Sequence, residues 1–506
     1  MLETIRQYAR DKFPPARMDG APQERPPGEI EHVRTRHLEY YLKLADEIYP
    51  SLVGSRSAAA LDSLGTEHDN IRSALEWSLN GGAQERGAGV RLAVAMYYFW
   101  FIRGYYIEGH SWLKRTAEAA PKDDPSCRVA RAAALPRVAI FADVSGNSEP
   151  GYQNQITEEG LALARETGDR ETIAFALVIR GLILKNQNHE IRQAQTLILE
   201  GLSLFEASEN SYWNKYWVAT AKICLGLCER ELGDAAREFD VLHQGLALFR
   251  EIGDHWGIGW ALEHLGWLEK NRGHYDEAVT CFEESLTHLQ AIGWRLECLW
   301  VRLAFAEVDV DQKNYSRAIQ TCEECLPAAR DLGIKPGMAA VQVCLGMAFW
   351  RMGDHERARA RLEEAISIRR ECDDPGGVAG VAQIQTSLGD VAVSQGNYDL
   401  AIRYYREGLS FRRTKMWDKW GIDSVLRGFA VVAGLTGNTE RSGMLFGAVE
   451  SLREKMLVPV PVSWREDFDK NVQSVRATVQ EHAFGCAWKK GRSLNLDQAI
   501  AFAMEE

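Results

Sequence analysis

One column of small residues recurs along most of this chain and limits what it can fold into more than any other feature. It runs Gly109, Gly151, Ala194, Glu238, Ala278, Ala318, Ala358, Ala401 and Ser442, at intervals of 40 to 44 residues, and eight of its nine members are small. A second column stands seven residues before the intervening turns: Ala139, Gly226, Gly266, Ala306, Gly346, Gly389 and Ala430. Its last six members follow Leu225, Leu265, Phe305, Leu345, Leu388 and Phe429. A third column lies seven residues after the first, at Gly201, Gly245, Ser285, Cys325, Ala365 and Gly408. Small residues where helices cross let backbones approach, and large neighbours fill the remaining space.

The unit from Gly253 to Gly293 shows the local structure this implies. Trp260, Leu262, Leu265, Gly266 and Leu268 follow one helical period, and Ala278, Phe282, Ser285, Leu286 and Leu289 follow another. Asn271-Arg272-Gly273-His274 lies between them, with a glycine that can take the left-handed conformation ending a helix. Such a hairpin cannot bury its apolar faces alone, so copies must stack. An all-α chain is expected, a helical-hairpin solenoid with a period of about 41 residues.

Ahead of the repeats, Met1 to Phe13 has helical spacing and a linker carrying Pro14, Pro15, Pro22, Pro26 and Pro27 follows. Amphipathic patterns resume over Glu31 to Tyr49 and Gly65 to Leu79. Leu92 to Ile102 reads as one buried helix whose partner is Gly109 to Ala120. Behind the repeats, Val458-Pro459-Val460-Pro461 breaks the pattern. Ser463 with Glu466, and Asn495 with Gln498, then fit capping boxes. Expected boundaries are a helix and linker over 1–30, a helical lead-in with the first repeat-like hairpin over 31–120, repeats over 121–456 and a helical cap over 457–506.

Composition narrows the function classes. With 59 basic and 71 acidic residues the net charge is -12, which argues against direct nucleic-acid binding. The longest apolar run, Leu92 to Ile102, falls far short of the ~20 residues that span a bilayer. No secretion signal opens the chain, and ten cysteines scattered through helical patterns suit a reducing, cytoplasmic setting.

The agreement of Leu265-Gly266, Gly273-His274-Tyr275 and Ala278 with Leu388-Gly389, Gly396-Asn397-Tyr398 and Ala401 resembles the tetratricopeptide repeat. That resemblance implies a right-handed superhelix with a concave groove. The period exceeds the ~34 residues of the ordinary motif, and Glu238 departs from the alanine column. A second resemblance covers almost the whole chain. MLETIRQYAR at the start, EHDNIRSALEWSL (Glu67 to Leu79), LFGAVESLRE (Leu445 to Glu454) and AWKKGRSLNLDQAIAFA (Ala487 to Ala503) are similar to the C-terminal half of bacterial STAND-type predicted ATPases and of large LuxR-like and AfsR-like transcriptional regulators. In that family the first stretch ends a winged-helix part after the nucleotide-binding domain, and the repeats act as sensor. This chain contains no Gly-Lys dipeptide, hence no phosphate-cradling loop. Met1 is then an internal residue of a longer protein, an artificial boundary, or the start of a gene that lost its motor.

Catalytic and metal constellations do not stand out. Cys322 with Cys325 and Cys224 with Cys228 are spaced like ligand pairs, but Cys325 occupies a packing column and Cys322 stands where Phe282 and Leu362 stand in neighbouring copies, so a buried structural role is expected. The histidines have no metal-ligand spacing. No cofactor is expected and the chain reads as non-enzymatic.

The tetratricopeptide resemblance implies that the column of Trp260 and Trp300 faces the concave groove, with Thr220, Ala340, Gln383 and Ser424 as its other members. The same face carries Glu263, Trp267, Lys270, Glu307, Met347, Trp350, Asp390 and Arg427. An aromatic floor with a few charges suits a protein or peptide partner, or a small-molecule effector. The competing reading is that the rings fill gaps between repeats, which is the role expected for Trp213, Trp256, Trp294, Trp417 and Trp420. A sensor or interaction arm of a regulator is the expected function, a free-standing adaptor the first alternative, and an enzyme with an unrecognised site in residues 31–120 the second, disfavoured because no chemical constellation stands there.

Overall fold

The computed structural model describes residues 29–121, 123–145, 151–187, 190–208, 211–371, 375–413, 419–455, 462–477 and 481–505. Among these residues all regular structure is helical. Nine hairpins follow one another: Tyr97–Arg103 with Tyr106–Ala119, Pro125–Ser145 with Tyr152–Thr167, Arg170–Gln187 with Ile191–Glu206, Tyr212–Leu232 with Ala235–Ile252, His255–Arg272 with Tyr275–Ala291, Arg295–Asp311 with Tyr315–Leu332, Lys335–Arg351 with His355–Arg370, Pro375–Ser394 with Tyr398–Arg413, and Lys419–Leu435 with Thr439–Lys455. Each helix packs on the next, and from the second hairpin onward the first helices of successive hairpins also touch. The chain is an all-α helical-repeat solenoid.

Burial distinguishes two layers. Helix Tyr275–Ala291 buries one stripe, Ala278, Phe282, Ser285 and Leu289. Helix His255–Arg272 buries a wider arc, including Ile258, Gly259, Leu262, Glu263, Leu265 and Leu268, and leaves only the side of Trp260, His264 and Trp267 part-exposed. First helices therefore form the inner layer and second helices the outer. The small columns lie where the layers meet. A Cβ on Gly266 would fall 2.5 Å from the Phe282 ring, on Gly346 2.7 Å from Leu362, and on Gly389 2.3 Å from Tyr405. Ser285 is accommodated because its hydroxyl donates to the Gly259 carbonyl at 2.7 Å. Glu238, the exception in the alanine column, is 2% exposed and holds the Arg230 guanidinium at 2.7 Å.

Two registers differ from the sequence reading. Gln153, not Gly151, belongs to the first column, since Gln153, Thr157, Gly160 and Ala164 form the buried stripe of their helix. Gly151 lies ahead of that helix with φ +84°. Gly181 joins the second column, with its missing Cβ 2.6 Å from Ile198, although it stands one residue farther from Ala194 than Gly266 does from Ala278. Counting from a turn of constant length cannot detect an extra loop residue.

The lead-in consists of Glu29–Ile48, Ser57–Asn80 and Ala83–Ala95 together with the first hairpin, Tyr97–Arg103 and Tyr106–Ala119. Leu92 to Ile102 is not one helix, because the chain breaks at Met96 before Tyr97–Arg103. Its residues are buried on all sides because the lead-in folds against the inner layer. Tyr98 packs on Trp213 and Tyr216, and Phe101 and Tyr106 reach Trp294. One continuous core runs from Leu38 to Ile334 across residue 120.

At the other end, helix Glu481–Arg492 crosses Thr439–Lys455 with unusually close backbones. A Cβ on Gly447 would lie 2.1 Å from the Trp488 carbonyl oxygen, and one on Gly491 would lie 1.9 Å from that of Met444. Helix Leu496–Met504 begins with the expected capping box of Asn495 and Gln498. Helix Val462–Arg476 starts one residue before Ser463, whose side chain lies outside the described residues. The readings for Met1 to Phe13, the Pro-rich linker, Val458 to Pro461, Trp417 and the Trp420 side chain also fall outside them.

Candidate functional site

The first helices of the first seven hairpins line a cavity of about 430 Å³. Helix Tyr212–Leu232 contributes Tyr216, Trp217 and Thr220, helix His255–Arg272 contributes Trp256, Trp260 and Glu263, and helix Arg295–Asp311 contributes Glu297 and Trp300. Tyr97, Tyr98 and Phe101 close it from the lead-in side. The rings brace one another: Trp256 and Trp260 have centroids 5.0 Å apart, Phe101 and Trp294 5.4 Å, and Tyr98 and Tyr216 5.9 Å. The Trp294 indole donates to the Tyr106 hydroxyl at 3.3 Å. Such mutual packing holds an aromatic wall in place without ligand.

Polar groups gather at one part of this wall. Glu263 is 5% exposed and its Oε2 has no hydrogen-bond partner. Burial pushes its carboxyl upward in pKa, while the Glu297 carboxyl, the Trp267 indole and the more distant Arg230 act the other way. Glu297 is pushed well above the usual carboxylate range by burial and by Glu263. The two carboxyls thus retain a proton well above the pH at which a free glutamate loses it.

The ten residues singled out from the sequence do not all line one cavity. Trp260, Glu263 and Trp300 line the cavity. Lys270 sits against Glu307 at 3.2 Å and Asp311 at 3.3 Å, with the Trp267 ring 5.1 Å away. Met347, Trp350, Asp390 and Arg427 line a separate crevice of about 50 Å³, together with Gln383 and Ser424. There Asp390 accepts from the Tyr405 hydroxyl at 2.7 Å and from Arg427 at 3.1 Å, and the Trp350 indole donates to Ser394 at 2.9 Å.

Sequence reasoning missed Glu297 and the lead-in wall. Glu297 stands three residues before Trp300, hence on the same helical face, and that spacing could have revealed it. Tyr97, Tyr98 and Phe101 carry no such signal, because they reach the cavity only through long-range folding. Trp256 and Trp294, read as packing residues, pack on each other and also line the cavity.

Cys224, Cys228, Cys322 and Cys325 are buried and free. Burial pushes Cys325 up to about 11 and Cys228 up to about 12, so neither is a ready thiolate. Among the described residues no group of three or more His, Cys, Asp or Glu is placed to hold a metal. No described helix is long and apolar enough to cross a membrane.

Fold and columns together define a tetratricopeptide-like helical-repeat protein, and its sequence is similar to bacterial transcriptional regulators. The tetratricopeptide repeat family model matches residues 295–371 and 337–414, and that for anaphase-promoting complex subunit 5 matches residues 131–187. The chain is 24% identical over 556 aligned residues to the putative HTH-type transcriptional regulator Mb0914c of Mycobacterium bovis, covering 99% of this chain and 58% of that protein. It is also 24% identical to the regulatory protein AfsR of Streptomyces griseus over 370 residues, 70% of this chain and 36% of that one. It therefore spans only 58% of the length of the first of these relatives. Among solved structures, the STAND protein with a tetratricopeptide repeat sensor PH0952 from Pyrococcus horikoshii superposes with a TM-score of 0.49 at 15% identity, covering 76% of this chain and 54% of that one.

Proposed function

We propose that this chain is the non-catalytic sensor arm of a bacterial cytoplasmic regulator and receives a peptide, protein segment or small ligand in the inner groove. The observation that carries this reading is the aromatic-walled cavity of about 430 Å³, closed on one side by repeats and on the other by the lead-in. A ligand there touches Trp260, Glu263 and Trp300 and, across the space, Tyr97 and Phe101. It favours the arrangement in which lead-in and repeats stand at the matching distance, and so shifts the population of superhelical curvatures. The lead-in is the N-terminal end of the solenoid, where the regulators in the chain's resemblance carry their switch domain. Trp267, Lys270 and Glu307 form an adjoining charged patch on this reading, and Met347, Trp350, Asp390 and Arg427 a second contact point farther along the groove.

Panning a random peptide library against the chain tests this. Enriched peptides are expected to lose binding to Trp260→Ala and Trp300→Ala while both variants keep the parent melting temperature. A library with no enrichment, or variants that unfold without a selective binding loss, would count against the groove. In-frame coding sequence upstream of Met1 for a nucleotide-binding domain favours the regulator over the free-standing adaptor.

A further inference from the structure

Most charged side chains buried in the repeats already have a partner. Glu238 holds Arg230 at 2.7 Å, Glu229 holds Arg237 at 2.9 Å, Asp423 holds Arg453 at 2.7 Å, and Asp309 is paired with Arg317. Asp254 is satisfied by two backbone amides. The pair Glu263 and Glu297 breaks this pattern. Their carboxyls face each other at the cavity, and Glu263 Oε2 has no hydrogen-bond partner. Arg230 acts on Glu263 only from farther off, because Glu238 and the His264 carbonyl, at 2.7 and 3.1 Å, hold its guanidinium.

A buried carboxyl without a counter-charge is costly, and two in contact more so. The surrounding lining does not supply the missing charge: it adds a third carboxyl, Asp143, and contains no Lys, Arg or His. It supplies instead the faces of Trp256, Trp260, Trp294 and Trp300, which favour a cation and pack against an apolar stem. The Trp256 indole N–H also has no acceptor, leaving a donor for a carbonyl oxygen. A site with an anionic end, aromatic walls and one free N–H is complementary to a long cationic side chain on a peptide backbone. A neutral or acidic ligand would leave the carboxyl pair uncompensated.

We infer, on the groove reading above, that the cavity takes the guanidinium or ammonium group of an Arg or Lys side chain from a short peptide, with Glu263 and Glu297 as its counter-charge and Trp260 and Trp300 along its stem. Tryptophan emission reports occupancy, since five indoles line the cavity. The test titrates the full chain with acetyl-Ala-Arg-Ala-amide and with its citrulline counterpart, equal in shape but uncharged. Saturable quenching by the arginine peptide is expected, at least tenfold tighter than by the citrulline peptide. Glu263→Gln and Glu297→Gln should each erase that preference while melting no lower than the parent chain, since each replaces one of two buried carboxyls in contact by a neutral amide.

Equal binding of the two peptides overturns the cation assignment and leaves the groove reading standing. An arginine preference that survives in both Gln variants overturns the assignment of Glu263 and Glu297. Free agmatine binding as tightly as the arginine peptide overturns the peptide as its source. If neither peptide binds, the inference fails, and library panning decides the groove separately.

Discussion

Asp254 joins two parts of the chain that are 200 residues apart. Its Oδ1 accepts from the Gly257 N–H at 2.7 Å and caps helix His255–Arg272, while its Oδ2 accepts from the Gly54 N–H of the lead-in at 2.6 Å. Asp234 provides an internal control, because it caps the preceding outer helix through the Arg237 N–H at 3.0 Å. Asp234→Ala should cost about 1 kcal/mol, the usual worth of an N-cap. Asp254→Ala loses the same cap and also strands the Gly54 N–H in a buried site, adding about 1 to 3 kcal/mol. Local relaxation cannot easily rescue Gly54, which has φ +84° and lies so close to Tyr212 that a Cβ would fall 1.6 Å from its hydroxyl. Because a solenoid opens locally, hydrogen exchange with urea denaturation is the appropriate assay. Residues 52–57 should lose protection in Asp254→Ala and keep it in Asp234→Ala. Equal losses in the two variants, or unchanged protection over 52–57, would refute the clasp. Burial pushes Asp254 from 3.8 up to about 6, opposed by its two amide donors. The folded chain thus holds a proton that the unfolded chain releases. The stability linked to Asp254 is full below about 3.8, declines as pH rises toward about 6, and this component is absent from Asp254→Ala.

Three further substitutions test the packing. Ala278→Leu, at a position with no exposed surface, should lower stability by about 1 to 3 kcal/mol in urea denaturation, and a neutral result would contradict tight packing between the layers. Gly447→Ala places a methyl 2.1 Å from the Trp488 carbonyl oxygen, so helix Glu481–Arg492 should detach and become sensitive to limited proteolysis. Lys313 has φ +68°, a left-handed conformation in a turn where other copies use glycine, and Lys313→Gly should raise the urea midpoint by the equivalent of about 0.5 to 1 kcal/mol.

Much of the fold was legible in the sequence because it is local and repeated. Gly266, Ala278 and Ser285 mark the contact between two helices of one hairpin, and nine copies of the pattern make the period visible despite variable loops. The same locality explains the misplaced Gly151 and the absence of Gly181 from the second column, since a register follows packing rather than a count from the turn. The site was legible only in part. Trp260, Glu263 and Trp300 could be placed on one inner face, since residues three and four apart, and the same position in the next repeat, share a face. The other residues expected on that face make different contacts: Lys270 is drawn to Glu307 and Asp311, and Arg427 to Asp390. Periodicity assigns a face but not the contacts made across it.

What the sequence alone determined is the repeating two-layer solenoid, set by small residues whose spacing reflects backbone approach within each hairpin. The tertiary structure alone decided that the lead-in folds back over the inner layer, that Gly54 meets Asp254, and that Tyr97 to Phe101 roof a cavity between Trp260 and Trp300. Those contacts join segments 100 to 200 residues apart and leave no period to read. They arise because winding the solenoid brings its beginning against its middle, where aromatic rings from both sides pack on one another.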